Sequence, residues 1–198
     1  MSKAEKTREF IIEKTAPVFN KKGFAGTSLS DITRVTGLTK GAIYGNFKNK
    51  DDIALAVFDY NVQQVFMIAS SPGDNGKSAV DRLVAIANQY KDQFAGIARN
   101  GGCPILNAAV EADDELPVLK EAVKKRIASW KDRFVQIILQ GIRGGEIKKH
   151  VDPDRYAVIF IALFEGGMML SKTMGDPVYF HQSLDKMIEI VYTELKII

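Results

Sequence analysis

At 198 residues, with 46% apolar and 26% charged residues, the chain lies near the averages for folded soluble proteins, which excludes disorder and fibrous repeats. A single cysteine, Cys103, excludes an intrachain disulfide and a cysteine zinc cluster. The net charge of +3 is unevenly placed: residues 1–50 hold ten Lys and Arg against four acidic residues, a surplus of +6, while the remainder is −3, the asymmetry of a chain that meets a polyanion at one end.

Apolar residues recur at steps of three and four along nearly the whole sequence, with no sustained two-residue alternation, so the expected fold is all-α with about nine helices. The N-terminal stretch Met1 to Arg8 is charged and has no apolar run behind it, unlike a secretory signal, which points to the cytoplasm. A first helix is predicted over about 3–22, with Phe10, Ile11, Thr15, Val18 and Phe19 on one side, a bend at Pro17 and Gly23 as its stop. Ser28-Leu-Ser-Asp31 reads as a capping box opening a second helix that ends at Gly37. Thr39 can cap a short third helix over 40–47. Lys48-Asn-Lys-Asp-Asp52 leads into a fourth that runs to about Ser70, and Ser71 to Gly76 is the clearest loop.

Further helices are predicted over about 77–95, 104–112, 115–142, 153–174 and 179–197. Asp152-Pro153 reads as an N-cap followed by an N1 proline. The longest apolar run, Ala157 to Phe164, is too short for a membrane span and reads as a buried helix, so no membrane partner is expected.

Residues 28–47, a helix, a glycine turn and a short helix, have the spacing of a helix-turn-helix whose second helix enters the major groove. Leu29, Ile32, Val35, Leu38, Ile43 and Phe47 can lock the two helices together. The outer face is then Thr39, Lys40, Gly41, Ala42, Tyr44, Gly45 and Asn46. Lys40 suits a phosphate or guanine, Tyr44 a phosphate, Thr39 and Lys50 the DNA backbone, and Asn46 a phosphate or a base edge. Lys48 adds charge beside them. Thr27 and Ser28 can offer hydroxyls and amides to a second phosphate at a helix N-terminus. Residues 1–50 are expected to form the DNA-binding domain and 51–198 a helical ligand-binding and dimerisation domain.

Gly23-Phe24-x-x-Thr27-Ser28-x-x-Asp31-Ile32-x-x-x-x-Gly37-x-x-Lys40-Gly41-x-Ile43-Tyr44-x-x-Phe47-x-x-Lys50 resembles the TetR/AcrR regulators over about 45 residues. Gly102-Cys103-Pro104-Ile-Leu-Asn107-Ala-Ala-Val-Glu111 is similar to a segment in one branch of that family. The small pair Gly45-Asn46 departs from the aromatic that family members commonly carry there. The resemblance implies a transcription regulator, usually a repressor, that leaves its operator when a small molecule enters the C-terminal domain.

The apolar interior points to a hydrophobic effector. Pocket candidates are Phe66, Tyr90, Phe94, Cys103, Asn107, Glu111, Trp130, Phe134, Phe164 and Met168, with Glu165 as a further polar one. A polar residue in an apolar stretch needs a partner, which is either a ligand or a neighbouring helix. Useful discrimination on DNA calls for two heads on a palindrome. The last two helices are the expected homodimer surface, through Phe160, Leu163, Gly166, Gly167, Leu170, Leu184, Ile188, Val191 and Leu195, in a four-helix bundle as in the resembled family.

No nucleophile elbow, phosphate-cradling loop or His-Glu metal motif occurs, so neither an enzyme nor a cofactor is expected. The rival readings are a regulator that ignores ligands and a helical small-molecule carrier.

Overall fold

The structure, a computed structural model, describes residues 2–68, 78–112 and 116–197. Among them there is no strand, and the helices are α1 (Lys3–Gly26), α2 (Leu29–Thr36), α3 (Lys40–Tyr44), α4 (Lys50–Ile68), α5 (Ala79–Arg99), α6 (Pro104–Glu111), α7 (Pro117–Arg143), α8 (Pro153–Met174) and α9 (Val178–Ile190), the last continued by a π-helical turn at Val191–Leu195. The all-α expectation therefore holds. The loop expected at 71–76 and the last residues of the fourth helix lie outside the described residues.

Local chemistry sets the helix ends. Ser2 and Glu5 form a capping box at α1, Ser28 and Asp31 one at α2, and the Thr39 hydroxyl accepts from the Ala42 N–H at α3. Asp152 accepts from the N–H groups of Asp154 and Arg155, with Pro153 at N1 of α8. Gly37 closes α2 in the left-handed conformation at φ 68°. Gly23, at φ 79°, breaks the helical geometry inside α1. Pro17 keeps helical backbone angles within α1, so the one non-helical residue in the element is Gly23.

Two compact units are present: 1–65 with 100–124, and 66–99 with 125–198. In the first, Ile11, Thr15 and Phe19 of α1 are buried together with Ile32, Ile43, Phe47, Ile53, Val57, Phe58 and Val62. Leu29, Val35 and Leu38 are half-buried around them. Phe10, expected on the inner side of α1, is exposed, and Lys14 lies over its ring.

In the second unit α8 packs along α9, and α9 along α5. The core is a run of aromatic contacts: Phe66 to Trp130, Trp130 to Phe164, Phe164 to both Tyr90 and Phe180, and Phe180 to Phe94, with centroids 4.7–5.8 Å apart. The Glu146 carboxylate accepts from the Ala79 N–H at 2.7 Å and caps α5 from outside its own chain segment. By length and composition α8 is apolar enough to cross a membrane. Here Ala157, Phe160, Phe164 and Met168 on it are buried in the protein core.

Candidate nucleic-acid interface

The first unit builds its outer face on Asp31. That carboxylate accepts from Lys22 Nζ at 2.7 Å, Arg34 Nη2 at 2.6 Å, and the Ser28 hydroxyl and N–H at 2.8 and 3.1 Å. Lys22 and the Ser28 donors hold its carboxyl well below the usual carboxylate range. The result ties the end of α1 to the start of α2, and neither Lys22 nor Arg34 was singled out by the sequence.

Arg8 ties α1 to the segment that follows α3 and to the first turn of α4. It donates to the Asn46 carbonyl at 2.7 Å, meets Asp52 at 3.3 Å and lies 4.0 Å from the Phe47 ring centroid. Burial would raise the Asp52 carboxyl, but the Lys48 N–H and the Arg8 guanidinium outweigh it and hold it lowered. Sequence reasoning missed Arg8 because its partners lie about forty residues further along the chain, beyond any local pattern.

Between these two fixed points Thr39, Lys40, Gly41, Tyr44, Gly45 and Lys48 are exposed, and Ile43 beneath them is fully buried. Lys40 lies 5.9 Å from the Tyr44 ring centroid, so the charge and the phenol form one patch. A cation, a phenol and two glycines on a short exposed helix can approach a polyanion closely and donate to it.

Other expected contacts are placed differently. Ala42 and Asn46 are half-buried, and the Asn46 amide donates to the Ala42 carbonyl at 2.9 Å. Lys50 is half-buried and reaches the Ala25 carbonyl at 3.4 Å. Thr27 is buried, with its hydroxyl proton given to the Gly23 carbonyl at 2.6 Å. The hydroxyl and N–H of Ser28 both serve Asp31. Both hydroxyls thus close the junction between α1 and α2, with Thr27 buried and Ser28 exposed.

The pocket candidates separate into two groups. Tyr90, Trp130, Phe134, Phe164 and Met168 are buried in the second unit, with Phe66 and Phe94 half-buried there. Cys103, Asn107 and Glu111 belong to the first unit, where Asn107 and Glu111 bond to α1. Their partner is a neighbouring helix. A groove of about 650 Å³ in the first unit is lined by Phe24, Leu55, Leu116 and Leu119 among others, and by none of the pocket candidates.

The expected dimer set is corrected in part. Phe160, Leu184, Val191 and Leu195 are fully buried within one chain and have no surface left for a second. Gly167 lets α9 approach α8: a Cβ there would stand 2.7 Å from Ser183. Leu163, Gly166 and Ile188 are half-buried, and Leu170 is exposed with Val158, Met169 and Met174 of the same helix.

Comparison with known proteins covers both halves. Residues 11–57 match the family described as bacterial regulatory proteins, tetR family, and residues 79–187 match the tetracyclin repressor-like C-terminal domain. The HTH-type transcriptional repressor DhaR of Mycobacterium sp. (strain GP1) is 26% identical over 95% of this chain and 91% of its own. The TetR-family transcriptional regulator from Cytophaga hutchinsonii superposes with a TM-score of 0.93 at 37% identity, covering 100% of this chain and 98% of that one. A TetR transcriptional regulator from Chloroflexus aurantiacus gives 0.92 at 35% identity, with 100% of both chains covered.

Proposed function

Because this chain belongs to the TetR family of transcription regulators, we propose that it is a repressor that binds a palindromic operator as a homodimer and leaves it when a small hydrophobic molecule binds. That it is a DNA-binding regulator and not an enzyme follows from the family. The observation that carries the finer reading is the face of α3, where Thr39, Lys40, Gly41 and Tyr44 stand exposed over the buried Ile43.

Two further observations support the rest. Val158, Met169, Leu170 and Met174 leave α8 with exposed large apolar side chains, and a second copy of the same helix would cover them. The aromatic run from Phe66 to Phe94 makes the interior of the second unit apolar, the chemistry that a hydrophobic ligand would meet there. Chain continuity supplies the route, since α4 and α7 each contribute residues to both units. A ligand that binds better when the two heads are spread apart would lower operator affinity by its differential affinity alone. The bound protein would act in the cytoplasm, where operators are.

Selection of duplexes from a random pool tests this directly. The wild-type protein is expected to enrich a palindrome, and Tyr44→Ala and Lys40→Ala to lose it, each weakening binding on the order of 1–3 kcal/mol. No enrichment at low salt from a folded dimer would overturn the operator reading.

A further inference from the structure

Gly23, at φ 79°, makes α1 two helices in succession: a long one from Lys3, and a single turn, Phe24 to Gly26, that leads through Thr27 into the capping box of α2. A second helix start presents backbone amides with no carbonyl behind them, and these need an acceptor. Glu111, the last residue of α6, places one carboxylate oxygen 2.6 Å from the Phe24 N–H and the other 3.2 Å from that of Ala25. A carboxylate in that position has the charge that a helix N-terminus favours. A Cβ at Gly23 would stand on this same carboxylate, which is a second reason for glycine there.

One turn earlier on α6, Asn107 shares its amide protons among the Asn20 carbonyl, the Asn20 side-chain oxygen and the Gly101 carbonyl, at 2.9–3.0 Å. Asn20 in turn donates to the carbonyls of Asn100 and Gly102. Gly101, at φ 106°, passes so near α1 that a Cβ would lie 2.7 Å from the Asn20 carbonyl oxygen. The end of α1 is thus held from α6 at two points on either side of its break. Both bonds go to the segment that aims the chain into the helix-turn-helix.

We propose that Asn107 and Glu111 are positioning residues for operator binding: they fix the hinge at Gly23, and so the direction in which α1 delivers α2 and α3, without touching DNA. The proposal rests on the operator reading above. A phosphate contact and a positioning contact differ in salt dependence, because only the first releases counterions when it forms.

The test uses the full-length protein and the operator recovered by selection, measuring affinity from low to high salt for wild type, Glu111→Ala, Glu111→Gln, Asn107→Ala and Lys40→Ala. Hydrogen exchange at the Phe24 and Ala25 amides and urea unfolding are followed in parallel. Glu111→Ala and Asn107→Ala are expected to weaken binding about tenfold at every salt concentration with an unchanged slope. Lys40→Ala should instead reduce the slope by about 1. The Phe24 and Ala25 amides should exchange faster in Glu111→Ala, and Glu111→Gln, which keeps one acceptor oxygen, should recover part of both losses. Folded variants with wild-type affinity and only a lower urea midpoint would overturn the proposal, as would a slope that falls as in Lys40→Ala. If the wild type binds no duplex, the operator reading falls, and the positioning role falls with it. Should Glu111→Ala fail to fold, Glu111→Gln and Asn107→Ala decide on the same measurements.

Discussion

Asp31 takes donors from Lys22, Arg34 and Ser28 on one carboxylate, and its pH dependence follows. A carboxyl whose pKa is lowered by folding contributes stability that is complete above its unfolded value, about 3.9, and is lost as pH falls below it toward the folded value. Asp31→Asn should therefore flatten the dependence of urea stability on pH below about 4. An unchanged profile would mean that the unfolded chain holds Asp31 in the same way. Ser28→Ala removes the cap itself, and a loss of about 1 kcal/mol is expected by urea unfolding at neutral pH. Two residues thus decide how α2 starts. The sequence made the box legible because it needs only Ser and Asp three apart. Lys22 and Arg34 could not be read, since nothing local says which of many surface cations will reach a given carboxylate.

At the scale of elements, the adjacent glycines of α8 separate two jobs. A Cβ on Gly167 would lie 2.7 Å from the Ser183 side chain and 3.2 Å from the Phe180 Cα, whereas a Cβ on Gly166 meets nothing within 4 Å. Phe180 is held there by its N–H, which donates to the buried Ser171 hydroxyl at 2.7 Å. Gly167→Ala should cost about 1–3 kcal/mol through forced separation of α8 and α9. Gly166→Ala should leave the single chain unharmed or stabilise it by up to about 1 kcal/mol, because alanine is the better helix former. Thermal unfolding of both variants checks this, and equal losses would show that the two positions are equally packed. The Gly-Gly pair was visible in the sequence as a place of close approach. Whether the approaching helix comes from the same chain was not, because small residues permit contact without naming the partner.

For the whole molecule, the surface available to a second copy is set by what the single chain leaves uncovered. Phe160, Leu184, Val191 and Leu195 are consumed inside it, while Val158, Met169, Leu170 and Met174 stay exposed on α8. Leu170→Asp is expected to shift the proposed dimer toward monomer in sedimentation, since a charge would be buried without a partner. It should also lower operator affinity by a factor of ten or more, on the order of the loss of paired half-sites. A stable dimer in this variant would place the interface elsewhere. Helical periodicity marked α8 and α9 as apolar, but a helix apolar on several sides gives no order of precedence among its faces.

The local elements were determined by the sequence itself. Caps, glycine stops and steps of three and four act within a few residues, and these gave the helices, the helix-turn-helix and the exposed face of Lys40 and Tyr44. The pairing of distant groups was decided by the tertiary structure alone: Arg8 on Asn46, Glu111 on the amides behind Gly23, Asn107 on Asn20 and Gly167 against Ser183. A hydrogen bond or close contact between residues 16 to 87 positions apart depends on where packing of the intervening helices puts its two ends. That placement is a property of the folded core, and no spacing along the chain encodes it locally.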